Sequence, residues 1–147
     1  VSALPALRGR FFLLMLQPPE QESAMTQDLA AHRCKPCEGG VQPLTMDQAQ
    51  ELLQALDSGW SISDDGLSIA RSFEFAAYSH TLGFANAVAW IAIAEGHHPV
   101  LTIEYGRCDV SYTTHAIKCL SDNDFICAAK TDRPTLRTST PAISLWS

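Results

Sequence analysis

Three histidines on two short segments carry most of the chemistry available to this chain: Glu95-Gly96-His97-His98-Pro99 and Thr113-Thr114-His115. An imidazole with an ordinary pKa near 6.5 both gives and accepts protons at neutral pH, so several around one pocket suit general acid–base work. Three neutral imidazoles equally suit a metal ion, and an adjacent His-His pair also arises by chance on surfaces. Spacing alone leaves these readings open.

The intervening residues decide whether the two segments can meet. Residues 100–105 and 107–113 are rich in β-branched and aromatic types, and Gly106 marks a reversal between them, which predicts an antiparallel hairpin. With the turn at Gly106, paired residue numbers sum to roughly 212, within about two. His97 and His98 then face the Thr114-His115 end. Pro99 fixes its own φ, has no N–H and pushes His98 out of the α region, placing the pair at a strand entrance.

The flanking sequence supplies the supporting elements. Thr45-Met46-Asp47-Gln48 is a capping-box pattern followed by Ala49, Leu52, Leu53 and Leu56 at helical spacing, with Gly59 as the stop. Trp60-Ser61-Ile62 and the alternation Leu67, Ile69, Arg71, Phe73, Phe75 flank the turn signal Asp64-Asp65-Gly66, a first hairpin. From Tyr78 to Glu95, Leu82, Ala85, Val88, Ala89 and Ala92 recur at three and four, with Gly96 as C-terminal stop, so a second helix delivers the chain to the histidine pair. Ser121-Asp122-Asn123-Asp124 opens a third helix with Phe125, Ile126 and Ala129 inward. The order α-β-β-α-β-β-α predicts an α+β fold, a four-stranded antiparallel sheet with three helices packed on one face.

Composition bounds the rest. At 147 residues and 46% hydrophobic content the chain fits one domain with a real core. A net charge of -6 and a pI near 5.2 argue against a direct electrostatic grip on nucleic acid. Five cysteines, odd in number and without framework spacing, fit a reducing, cytoplasmic setting. Arg8 and Arg10 before Phe11 to Leu16 resemble a signal peptide, but the six apolar residues, ended by Pro18-Pro19, make a short secretory core and are too few for a membrane span. Residues 1–24 read as a disordered or non-native extension with Met25 as a candidate start, residues 25–132 as the domain, and residues 133–147, rich in Thr, Ser and Pro, as a disordered tail.

Glu95-Gly96-His97-His98-Pro99, Tyr105, Val110, Thr113-Thr114-His115 and Leu120-Ser121-x-x-Asp124 together resemble the signature of the pterin-4a-carbinolamine dehydratases. The resemblance runs from about Cys34 to Asp132, through Gly59-Trp60 and Phe73-x-Phe75, and Cys34-Lys35-Pro36-Cys37-Glu38-Gly39-Gly40 resembles the amino-terminal extension of bacterial members. It implies a hydro-lyase that converts 4a-hydroxytetrahydropterin to quinonoid dihydropterin, recycling the cofactor of aromatic amino acid hydroxylases, with no metal and no cofactor of its own. It further implies His97 and His98 as the acid–base pair, His115 as substrate-orienting and charge-stabilising, Asp124 as the acidic partner in substrate binding, and Trp60 as a platform for the pterin. A homo-oligomer, dimer or tetramer, is expected with it, and some animal relatives also act as dimerisation partners of a transcription factor, a non-catalytic alternative.

Bland readings stand beside these. Asp124 caps a helix, Trp60 is core at a strand start, and Cys34 and Cys37 form an unmetallated turn or, alternatively, a metal or redox pair. His80 is a solvated or capping residue. Cys119 departs from the glycine usual in the family four residues after the histidine, which predicts strain in the turn between His115 and Asp124.

Overall fold

The computed structural model describes residues 28–37 and 40–138, so the extension expected over residues 1–24 lies outside the described residues. A 3₁₀ turn at Leu29–Ala31 is followed by α1 (Met46–Gln54), β1 (Ser61–Ile62), β2 (Ile69–Glu74), α2 (Tyr78–Glu95), β3 (Val100–Ile103), β4 (Arg107–Tyr112) and α3 (Asp122–Thr138). The α+β order is the one the sequence predicts, and all strand pairs are antiparallel in the order β1-β2-β4-β3.

Alternation along the central strands sets the core. Ile69, Phe73, Cys108, Val110 and Tyr112 are buried on the face that meets the helices, while Ser72, Asp109 and Ser111 face the other way. A shallow hollow of about 410 Å³ on the open face, lined among others by Ala70, Ser72, Val100, Thr102 and Asp109, includes none of the three histidines. Phe125 is fully buried on α3, so its truncation to Ala is expected to cost about 3–5 kcal/mol.

The helix boundaries follow local chemistry. Thr45 and Gln48 form the expected reciprocal capping box, although α1 ends at Gln54, before Leu56 and Gly59. On α2 the inward stripe is Thr81, Phe84, Ala85, Val88 and Ala92, whereas Leu82 and Ala89, expected inside, face outward. That helix is apolar on nearly all sides, so periodicity could not choose its buried face. Gly96 closes α2 in the left-handed region at φ 65°, a conformation that turns the chain straight into His97. Gly106 serves closeness instead: a Cβ there would stand 2.9 Å from the Phe75 carbonyl oxygen, and the Phe75 N–H donates to the Gly106 carbonyl at 2.8 Å.

α3 runs on to Thr138, past the boundary at 132 drawn from composition. Pro134 sits inside it, and Arg133 reaches back to Asp28 at 3.1 Å, so the start of the Thr-, Ser- and Pro-rich stretch is helical rather than a tail. Residues 139–147 lie outside the described residues. No described helix is long and apolar enough to cross a membrane.

Candidate active site

The second hairpin forms with paired numbers summing to 211, from Val100 opposite Ser111 to Ile103 opposite Cys108. Extending that register puts Thr114, not His115, across from His97. Both side chains end on one carboxylate: His97 Nε2 lies 2.7 Å from Asp124 Oδ1, and the Thr114 hydroxyl donates to Asp124 Oδ2 at 2.8 Å. The Ser121 backbone N–H donates to Oδ2 as well, at 2.8 Å, and the Thr114 and Ser121 hydroxyls are 2.6 Å apart. Asp124 is the third residue of α3, so it caps that helix and grips His97 at once. The two readings of Asp124 coexist.

Asp124 is fully buried and both of its oxygens are taken by protein donors. In this structure its contacts are with the site's own residues, His97, Thr114 and Ser121. His97 is 4% exposed, stacks on Tyr112 with centroids 6.0 Å apart and planes at 12°, and holds its second ring nitrogen, Nδ1, 3.7 Å from the Cys37 sulfur. The Tyr112 hydroxyl meets Thr131 at 2.9 Å, and burial, only partly countered by that bond, pushes its phenol far above its ordinary value.

His98 and His115 are each chain neighbours of a residue on the Asp124 carboxylate, and both are exposed. No hydrogen bond joins any two of the three imidazoles among the described residues. The site thus has a buried, doubly engaged imidazole beside two that are open to solvent. A ligand that is to meet a ring nitrogen of His97 must displace Asp124 or Cys37, whereas His98 and His115 are open to solvent.

Trp60 is 4% exposed, packs at 6.1 Å against both Phe73 and Tyr112, and donates its indole N–H to Asp132 at 3.0 Å. These surroundings support the core reading of Trp60. Arg71 joins Asp132 at 2.8 Å and Asp57 at 3.2 Å. Burial raises the Asp132 carboxyl above its ordinary range despite Trp60 and Arg71.

The Cys34–Cys37 pair does not close on itself. Cys34 Sγ lies 3.5 Å from Cys127 Sγ, while Cys37 turns toward His97. Among the described residues no cluster of three or more His, Cys, Asp or Glu has the geometry to hold a metal ion. Strain falls one residue from where it was expected: Lys118, not Cys119, occupies the left-handed region, at φ 51°.

Sequence reasoning gave Tyr112, Thr114, Ser121 and Asn123 no role in the site. The signal for Thr114 was the hairpin register, which a one-residue change in the turn shifts from His115 to Thr114.

A family profile described as Pterin 4 alpha carbinolamine dehydratase matches residues 42–134. A protein named "Putative pterin-4-alpha-carbinolamine dehydratase" from Nitrosomonas eutropha is 53% identical over 105 residues, 71% of this chain and 91% of its own length. One of the same name from Legionella pneumophila (strain Lens) is 44% identical over 109 residues, 74% of this chain and 96% of its own length. A crystal structure described as a transcriptional coactivator/pterin dehydratase from Brucella melitensis aligns with TM-score 0.60 at 35% identity, over 63% of this chain and 97% of that one.

Proposed function

This chain belongs to the pterin-4a-carbinolamine dehydratase family, and from that premise we propose that it dehydrates a 4a-hydroxytetrahydropterin to quinonoid dihydropterin and water. The reaction needs one proton delivered to the departing 4a-hydroxyl and one removed from ring nitrogen N5, with no net change in protons on the protein. The observation that carries this reading is the pair of exposed imidazoles, His98 and His115, flanking the buried His97–Asp124 contact. His98 and His115 act as the acid and base. His97 holds the strand entrance in place through Asp124, with Thr114 and Ser121 fixing that carboxylate from its other oxygen.

The outer surface supports self-association. Trp90 and Ile93 on α2 are 71% and 73% exposed, and β3 is an open sheet edge bearing exposed Val100 and Ile103. We propose a homo-oligomer built on these surfaces, whose product returns to an aromatic amino acid hydroxylase. The same apolar helix face favours a second reading, a dimerisation partner in a coactivator role. The two separate by stopped-flow loss of 4a-hydroxytetrahydropterin with chelator present: acceleration well above the spontaneous rate supports the enzyme, and folded protein without acceleration supports the binding role.

A further inference from the structure

The arm that carries Cys34 and Cys37 precedes residues 42–134, yet it ends on the one nitrogen of His97 that Asp124 does not hold. Asn123, 1% exposed on α3, reads the arm's backbone with both ends of its amide: the Lys35 N–H donates to Oδ1 at 2.9 Å, and Nδ2 donates to the Lys35 carbonyl at 2.8 Å. That opposed pair fixes which end of the amide is nitrogen. Nδ2 also donates to Cys37 Sγ, at 3.7 Å. The sulfur that accepts from Asn123 still carries its own proton, and His97 Nδ1, at 3.7 Å, is an acceptor within its reach.

A neutral imidazole that accepts at Nδ1 carries its proton on Nε2, and Nε2 is the atom 2.7 Å from the Asp124 carboxylate. That carboxylate also accepts from the Thr114 hydroxyl and the Ser121 N–H. Every bond from Asn123 through Cys37 and His97 to Asp124 then runs donor to acceptor without a reversal. The titratable groups facing His97 are Cys37 on the arm, Tyr112 on β4, and Asp124 and Cys127 on α3, the last with its sulfur 3.9 Å from the His97 carbonyl oxygen.

We propose that Cys37 is a positioning residue for the reaction: its thiol, oriented by Asn123, holds His97 as the neutral Nε2–H tautomer and leaves proton exchange to His98 and His115. The catalytic consequence rests on the dehydratase reading, whereas the tautomer does not. Long-range ¹⁵N–¹H spectra of the ligand-free full chain at pH 7 read the tautomer directly. The wild-type protein should show His97 with an unprotonated Nδ1 and a protonated Nε2. Cys37→Ala should add a second protonation state, and Cys37→Ser, which restores a donor, should return the single one.

In the dehydration assay kcat should fall by about five- to tenfold in Cys37→Ala, with an extra ionisation in its pH–rate profile, and recover in Cys37→Ser. A wild-type His97 protonated at Nδ1, or a Cys37→Ala spectrum identical to wild type, overturns the proposal, and the wild-type spectrum decides even where Cys37→Ala fails to fold. A correct tautomer in a protein that never accelerates dehydration refutes the dehydratase reading instead.

Discussion

Replacing Asp124 by Asn changes one oxygen to an NH₂ group in a site that presents three donors to a fully buried side chain. The Ser121 backbone N–H can only donate, so the remaining amide oxygen takes the Oδ2 position and keeps Ser121 and Thr114. Those two bonds lose their charge assistance, about 1 kcal/mol each. The new NH₂ then faces His97 Nε2, where two donors meet or the imidazole changes tautomer, at about 1–3 kcal/mol. Relief from burying a charge offsets part of the sum, which leaves a net loss of about 2–3 kcal/mol. Urea unfolding at pH 7 should show that loss as a lower midpoint with an unchanged slope. Asp122→Asn, two residues earlier and exposed, is the control and should cost under about 0.5 kcal/mol. Equal, small losses for the two variants would refute the view that Asp124 organises the site.

Three other outcomes follow from the same structure. Lys118→Gly removes a left-handed non-glycine residue at φ 51° and should raise stability by about 0.5–1 kcal/mol, the relief of strain less glycine's entropy, read by urea midpoint. Burial alone would raise the Glu95 carboxyl, but Lys130 and the Cys34 N–H outweigh it and hold the group below its ordinary 4.5. A carboxyl held lower in the folded than in the unfolded chain contributes stability that is full above the unfolded value and is lost as pH falls through the folded one. The stability gap between wild type and Glu95→Gln should therefore be large at pH 7 and shrink below about pH 4. Iodoacetamide should spare Cys108 and Cys127 until unfolding, since both are buried: burial pushes the Cys108 thiol up, and the Cys34 contact followed by burial does so for Cys127. Peptide mapping that finds either one modified as fast as Cys119 would contradict this.

Sequence carried the element order, because each element has its own local chemistry. Thr45 and Gln48 start a helix, Asp64-Asp65-Gly66 turns a hairpin, and Gly96 stops α2, all through contacts within a few residues. The site was legible as far as that local logic reached: a hairpin brings the His97 segment to the Thr114 segment. Which side chains meet depends on register, and a one-residue difference exchanges His115 for Thr114 across from His97. Trp60 illustrates the same limit, since Phe73, Tyr112 and Asp132 enclose it from distant elements. The arm was illegible for a related reason. Its partners Glu95, Asn123 and Cys127 are 61, 88 and 93 residues away, and no local pattern announces such pairs.

We propose that exposed imidazoles beside a buried His97–Asp124 contact dehydrate a pterin carbinolamine. Single-turnover dehydration of 4a-hydroxytetrahydropterin, with chelator present, should be compared for wild type, His97→Ala, His98→Ala and His115→Ala. Wild type should turn over rapidly, and His98→Ala and His115→Ala should each lose about 10²–10⁴ in rate. His97→Ala should also be impaired, through misplacement of its neighbours. Wild-type rates retained in both His98→Ala and His115→Ala would contradict the proposal.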